Sequence, residues 1–341
     1  MTQPPLRFAA IGLNHGHIYG QTRFMLNAGA ELVKVYAKEP ELVARYQEAF
    51  PQAVLAGSEE EILEDESIQL VVCASIPSER APLGIRVMQH GKDFMSDKGA
   101  PTTFEQLAEV RRVQKETGRI YSVCFSERFE VPAVVKAQEL VAEGRIGRVV
   151  QTVGLGPHSV GLHTRPDWFF KRACVGGILI DIASHQFDQF LYFTGSTEAT
   201  VTGAHVANYK YPQYPEFEDF GDVMVQGNNG TGYVRVDWFT PAGLGVWGDG
   251  RLTLLGTEGY IEIRKYTDVL GRPGGNHLFL VTQEDKEYMD CSDVPLIYGK
   301  QFYADIINRT ETAMPQEHCF RALQLALEAE AAAKRLGNLA V

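Results

Sequence analysis

Cysteine is scarce and shows no pairing pattern. The five residues Cys73, Cys124, Cys174, Cys291 and Cys319 are odd in number and widely spaced, which fits neither a disulfide framework nor a zinc ribbon. Reduced thiols, and with them a cytoplasmic location, are expected. Long apolar runs are missing as well. No stretch approaches the ~18 consecutive apolar residues of a bilayer span, and MTQPPLRFAAIG has no signal-peptide core, so neither a membrane partner nor a targeting segment is expected. Positive charge is short: 32 Lys and Arg stand against 43 Asp and Glu, a net charge of −11. With no basic stripe, nucleic acid is not an expected partner. The chain also lacks internal repeats and low-complexity linkers.

What is present is globular. A composition of 45% hydrophobic and 22% charged residues over 341 positions affords a packed core, and the length suits two domains. Residues 6–11 form an apolar run ending in Gly12, and an amphipathic stretch follows at 17–28, the pattern of strand, tight turn and helix. The same alternation continues through strand-like 32–36, 68–74, 93–96 and 119–125 and helix-like 40–49, 79–90 and 102–117, with Pro40 at a first helical position and Ser58/Glu61 as a capping box. The run IQLVVCA at 68–74 has no polar alternation, which suits a strand buried on both faces. This predicts a doubly wound parallel sheet of Rossmann type over 1–125. Beyond 126, strand candidates at 199–207, 222–226, 232–239, 251–255 and 260–265 are joined by hairpin signals at 227–230 and 256–259. They predict an α+β domain over 126–341 with a large, mostly antiparallel sheet. Leu323, Leu327 and Ala331 mark one buried face of a closing helix over 318–336, capped at Gly337.

Two segments carry chemistry. Gly12-Leu13-Asn14-His15-Gly16-His17 stands where a Rossmann domain places Gly-x-Gly-x-x-Gly, with Asn14 and His17 replacing the second and third glycines. The helix behind it would offer unpaired N–H groups to a pyrophosphate. At the end of the second strand the usual acid position is Ala37. Lys38 beside it would tolerate a 2′-phosphate while Glu39 keeps the unphosphorylated nucleotide open, so NAD and NADP both stand. Ser75 and Asp97, at later strand ends, join Gly12, Asn14, His15, Gly16, His17, Lys38 and Lys98 as expected cofactor contacts. The second segment runs from Gly176 to Asp188. Asp181 and His185, four apart, would share one helix face, and a carboxylate beside an imidazole can orient and charge it for proton transfer. Gly176 and Gly177 would let a substrate or nicotinamide approach the backbone. Lys98, at a strand's carboxyl end, could stabilise a developing alkoxide.

Together the 6–28 strand–turn–helix, Asp97-Lys98, the GG-x3-D-x3-H segment at 176–185, Trp168, Gly144-x-Ile146-Gly147 and Gly256-Thr257-x-Gly259 resemble the Gfo/Idh/MocA family of nicotinamide-dependent sugar and cyclitol oxidoreductases, over essentially the whole chain. The resemblance implies a Rossmann domain followed by a domain whose open sheet often serves oligomerisation, here a homodimer or homotetramer. It matches Lys98 to the family's catalytic lysine, and Asp181 and His185 to its catalytic aspartate and histidine. Two departures stand out: the family's Glu-Lys-Pro reads Asp97-Lys98-Gly99, and its Asn-Arg-Arg reads Ser126-Glu127-Arg128, a carboxylate where a cation is common.

His158, His163, Arg165 and Trp168 lie in an aromatic-rich stretch before the catalytic segment and are the candidate contacts for a small sugar or polyol. A metal site from His158, His163 and His185 matches no zinc spacing, and no metal is expected. The aromatic 209–220 segment reads as a packed loop or a lid. The function expected is hydride transfer between a sugar or polyol carbon and a nicotinamide. Its rivals are a redox-neutral glycosidase acting through a transient keto-sugar, and a non-catalytic ligand sensor.

Overall fold

A computed structural model describes residues 5–337. Its compact units are Met1–Cys124 with Ile297–Phe320, and Phe125–Leu296 with Arg321–Val341. The stretch Ile297–Phe320 thus groups with the first unit, a return that the single expected cut at 125/126 did not include.

The first unit holds six parallel strands, β1 (Arg7–Ile11), β2 (Glu31–Tyr36), β3 (Val54–Leu55), β4 (Leu70–Cys73), β5 (Asp93–Asp97) and β6 (Tyr121–Cys124), in the order β3-β2-β1-β4-β5-β6. This is the doubly wound order, with β1 at its centre. Every residue of β4, β5 and β6 is buried, which is why those runs lack polar alternation. The intervening helices obey their local signals. Pro40 opens Pro40–Ala49, the Ser58 hydroxyl accepts from Glu61 N at 3.2 Å, Thr103 caps Phe104–Thr117, and Gly118 ends that helix at φ 64°. The returning stretch is tied in by side chains: Arg309 makes a bidentate pair with Asp93 at 2.8 and 2.7 Å, and the Gln316 amide bridges Tyr121 N and O.

The second unit is built on nine strands, β7 (Val149–Pro157), β8 (Ala199–Asn208), β9 (Phe220–Gly227), β10 (Thr231–Asp237), β11 (Arg251–Gly256), β12 (Tyr260–Arg264), β13 (His277–Val281), β14 (Lys286–Asp290) and β15 (Lys334–Gly337), in the order β14-β13-β12-β11-β7-β10-β9-β8-β15. Neighbours are antiparallel except β7 with β10 and β8 with β15. The β9–β10 and β11–β12 hairpins turn through the two glycine-flanked signals. Helix Pro132–Ala142 covers one face, its Val134, Ala137 and Leu140 packing with Leu252, Ile261 and Leu278. The closing helix is Gln316–Ala332, not 318–336, because Lys334–Gly337 extends to pair with β8. Leu323 and Leu327 are buried, whereas Ala331 is exposed. Among the described residues, no helix is long and apolar enough to cross a membrane.

Candidate active site

In the first unit, β1 delivers the chain into a turn that only glycine fits. Gly12 has φ 78°, and a Cβ there would stand 2.5 Å from Ser75 Cβ. Its N–H donates to Tyr36 O while its carbonyl accepts from Ala74 N, and His15 N donates to Ala74 O. The turn is thereby pinned between β2 and β4, just before helix His17–Asn27. Gly16, at φ −63°, has no such requirement.

Both histidines of the turn converge on Asp97. His17 Nδ1 lies 2.8 Å from Oδ1 and His15 Nδ1 3.0 Å from Oδ2, while Arg80 Nη2 reaches Oδ2 at 3.1 Å and Lys98 N donates to Oδ1 at 2.7 Å. Burial by itself pushes the Asp97 carboxyl up, but His17, Arg80 and His15 outweigh it and hold it well below the usual range. Burial, with His17 beside it, brings His15 down to about 4 against the pull of Asp97. His15 is therefore neutral at pH 7. Buried Arg80 also donates to Ser75 O and Lys98 O, so one guanidinium organises the strand ends around the turn. Lys98 is itself buried. The cis peptide falls after Gly99, at Ala100–Pro101.

His15, His17 and Asp97 have ligand atoms within 4.8 Å of one another, as a metal site requires. The charges do not suit a dication, because Arg80 already meets the single carboxylate. His158, His163 and His185 form no such set among the described residues.

Beside the turn, a cleft of about 410 Å³ is lined by Gly12, Asn14, Lys38, Glu39, Ser75 and Arg86 among others. Its size, glycine turn and strand-end position fit a dinucleotide. The expected contacts thus divide: Gly12, Asn14, Lys38 and Ser75 line this cleft, whereas the His15, His17 and Asp97 side chains form the network beside it.

In the second unit, Asp181 and His185 are buried but do not share an unbroken helix. One helix spans Ile178–Asp181, the next Ala183–Thr194, and His185 N donates to Ile182 O rather than to Asp181 O. Gly177 is left-handed at φ 125°, and the group that crowds it is the Glu330 carboxylate, not a ligand. Glu330 and Glu218 cap the first of these helices by accepting from Leu179 N and Ile178 N, and Arg172 pairs with both. Burial and the neighbouring Glu218 push Glu330 up to about 8, against Arg172. Asp181 lines a small cavity of about 20 Å³ among Phe169, Phe170, Arg172, Glu218 and Trp238.

The expected substrate contacts are dispersed within this unit. Trp168 packs edge-on to Phe169, and the Arg165 guanidinium lies over the rings of Phe169 and Trp238. His158 packs on Trp238 and Trp247, and His163 is exposed on a 3-10 turn. The 209–220 segment is a packed loop, with Tyr214 stacked on Phe170 at 3.8 Å and Asp219 accepting from Tyr209 N and Lys210 N.

The carboxylate noted at Glu127 is buried with an equally buried partner. Lys265 Nζ lies 2.5 Å from Oε2, Gln186 Nε2 donates to the same oxygen at 2.8 Å, and Lys265 also reaches Gln189 Oε1 at 3.0 Å. Burial pushes Glu127 up, but Lys265 and His185 bring it to about 2. Lys265 stands 138 residues away, so no local sequence signal could have announced the pair.

Comparison with known proteins gives the lineage. The profile for the oxidoreductase family, NAD-binding Rossmann fold, matches residues 6–125, and that for the GFO/IDH/MocA C-terminal domain matches 134–262. The NAD(+)-dependent scyllo-inositol 2-dehydrogenase of Bacillus subtilis is 28% identical over 267 residues, 76% of this chain and 73% of its own. A solved structure from Erwinia carotovora atroseptica SCRI1043, described as a candidate oxidoreductase, is 49% identical, covering 97% of this chain and 99% of its own with a TM-score of 0.94. Levoglucosan dehydrogenase in complex with NADH and levoglucosan shares the fold, with a TM-score of 0.77 at 20% identity and 96% coverage of both chains. The chain belongs to the Gfo/Idh/MocA oxidoreductases.

Proposed function

We propose that this member of the NAD-binding Gfo/Idh/MocA oxidoreductases transfers hydride between a hydroxyl-bearing carbon of a sugar or polyol and a nicotinamide. The observation that carries the reading is the first-unit cleft of about 410 Å³ built on the Gly12 turn, and the second unit adds the buried Asp181 and His185. A sugar or polyol as substrate is supported by the relatives the chain resembles, a scyllo-inositol 2-dehydrogenase and a levoglucosan dehydrogenase. The nicotinamide supplies the hydride acceptor when bound, and Gly12, Asn14, Lys38 and Ser75 would hold the dinucleotide. His185 takes the hydroxyl proton in the oxidative direction, Asp181 orients and charge-balances the imidazole, and Lys98 stabilises the developing alkoxide. Arg165, Trp168, His158 and His163 are the candidate substrate contacts. The same reading includes self-association as a homodimer or homotetramer through the outer face of the second sheet, on which Leu255, Tyr260 and Tyr288 are exposed.

The test is reduced-nicotinamide formation against a panel of cyclitols and aldoses, with wild type, Lys98→Met and His185→Gln. Turnover by wild type, lost by about 10²-fold or more in both variants, supports the assignment. Undiminished turnover in His185→Gln contradicts the proton-transfer role.

A further inference from the structure

We infer that Glu127, fixed by Lys265, is a positioning residue for His185: it holds the helix that carries the imidazole and supplies negative charge that balances the ring once it has taken a proton. Its part in the reaction rests on the hydride-transfer reading above, whereas the charge coupling between the two residues does not.

The grip is built on one helix, Ala183–Thr194, which carries His185, Gln186 and Gln189. Gln186 Nε2 donates to Glu127 Oε2 at 2.8 Å, and Lys265 Nζ donates to Gln189 Oε1 at 3.0 Å. Gln189 Nε2 donates in turn to the carbonyl of His185 at 3.1 Å. The ion pair therefore holds the residue after His185 and the residue one turn beyond it. Strand β7 is shaped to admit the same glutamine: a Cβ at Gly154 would stand 2.8 Å from Gln186 Cγ, and one at Gly156 would stand 2.9 Å from its Nε2. Phe125 packs edge-on against the imidazole at 6.2 Å.

Charge is the second observation. Glu127, Lys265 and His185 are each only 2% exposed. Lys265 and Gln186 both meet Oε2, and among the described residues Oε1 has no hydrogen-bond partner, so half of this buried carboxylate is not spent on its lysine. The positive groups that keep it ionised against its burial are Lys265 first and then His185, with His158 weaker. That attraction is mutual, so a proton on His185 is favoured by Glu127 in the same measure. The helix has other charged neighbours. Arg128 is paired with Asp188 at 2.6 Å, Asp181 ends the preceding helix, and burial and Glu127 keep the Tyr266 phenol neutral. Strands β7 and β10 turn Gly154, Gly156 and Gly232 to it, with no titratable group. Glu127 thus joins Asp181 as a second carboxylate serving the ring, fixed in advance and shielded from water, where a charge stabilises most.

Titration of the histidines by NMR on the full chain reads the coupling without any substrate, with the His185 signal identified among the nine histidines by its loss in His185→Gln. In Glu127→Gln the proton affinity of His185 should fall about tenfold or more, and in Lys265→Met it should rise, because the two variants leave buried charges of opposite sign. A purely structural role would not give opposite signs. Should a single variant not fold, Glu127→Gln/Lys265→Met leaves no unpaired buried charge, and its His185 must still bind the proton more weakly than in wild type. In the oxidative direction the acid limb of kcat/KM should move with the titration, to lower pH in Glu127→Gln. A His185 titration unmoved in folded Glu127→Gln, or shifts of the same sign in the two single variants, overturns the inference and leaves the hydride-transfer reading intact. Titration shifts of the expected signs in a protein that oxidises none of the cyclitols and aldoses overturn that reading and, with it, the part of Glu127 in the reaction.

Discussion

Each unit buries carboxylates, and they hold them differently. Asp97, in the first, draws on two histidines, an arginine and a backbone amide. In the second, Glu127 has a single buried lysine and a glutamine, while Glu218 and Glu330 lie together against Arg172, with Arg335 at 3.2 and 3.6 Å from them. The first cluster sets one permanent cation, Arg80, and two histidines against a single carboxylate, and burial holds His15 down to about 4. The second contains a carboxylate pair in which burial first, and Glu218 beside it, push Glu330 up to about 8. Pairing with a fixed charge makes a site insensitive to pH, whereas sharing among titratable groups makes the sign of its response depend on which charge is in surplus.

The largest effect should come from breaking the fixed pair. Lys265→Met leaves Glu127 as an uncompensated buried charge and is expected to cost about 3–5 kcal/mol, read by denaturant unfolding. The double variant Glu127→Gln/Lys265→Met should recover most of that loss. A single variant within about 0.5 kcal/mol of wild type would mean that the pair is solvated rather than buried.

Next come the pH slopes, which should have opposite signs. His15 binds its proton less readily folded than unfolded, so between the ordinary 6.5 and about 4 the unfolded chain carries more protons. Its contribution is complete above that window and is lost as pH falls through it, by up to about 1.4 kcal/mol per pH unit. Glu330 is the reverse. Between the ordinary 4.5 and about 8 the folded chain carries more protons, so its contribution declines as pH rises. His15→Gln should flatten the acid-side rise and expose the Glu330 decline, and Glu330→Gln should do the converse. Stability–pH curves of the two variants that shift in the same direction would contradict the comparison. The smallest effect belongs to the exposed Lys38–Glu79 pair: Lys38→Ala should change stability by less than about 1 kcal/mol.

The same contrast explains what could be read from the chain. In the first unit the information is local: unalternated apolar runs become β4 to β6, Pro40, Ser58 and Thr103 open helices, and Gly12 marks the turn. In the second, Lys334–Gly337 is a strand because β8 offers it a parallel partner, although all four of its residues are exposed and only Leu336 is apolar. His277–Val281 and Lys286–Asp290 also escaped the sequence reading, as they follow a glycine- and proline-rich stretch without a short hairpin signal leading into them. At the candidate site the residue types at 12, 98, 181 and 185 were legible, since each stands in a motif. The break at Ile182, the meeting of His15 and His17 on Asp97, and the Glu127–Lys265 pair were not, because each is settled by partners brought together only on folding.

If the Gly12 turn builds a nicotinamide dinucleotide site, a side chain at that position must abolish binding. The most direct measurement is an equilibrium titration of NADH, followed by its own fluorescence, into wild type and Gly12→Ala, with circular dichroism to verify that both are folded. Saturable binding by wild type and its loss in Gly12→Ala, whose methyl would occupy the space of Ser75 at a left-handed position, is the predicted result. Failure of wild type to bind NADH, or equal affinity in a folded Gly12→Ala variant, would contradict it.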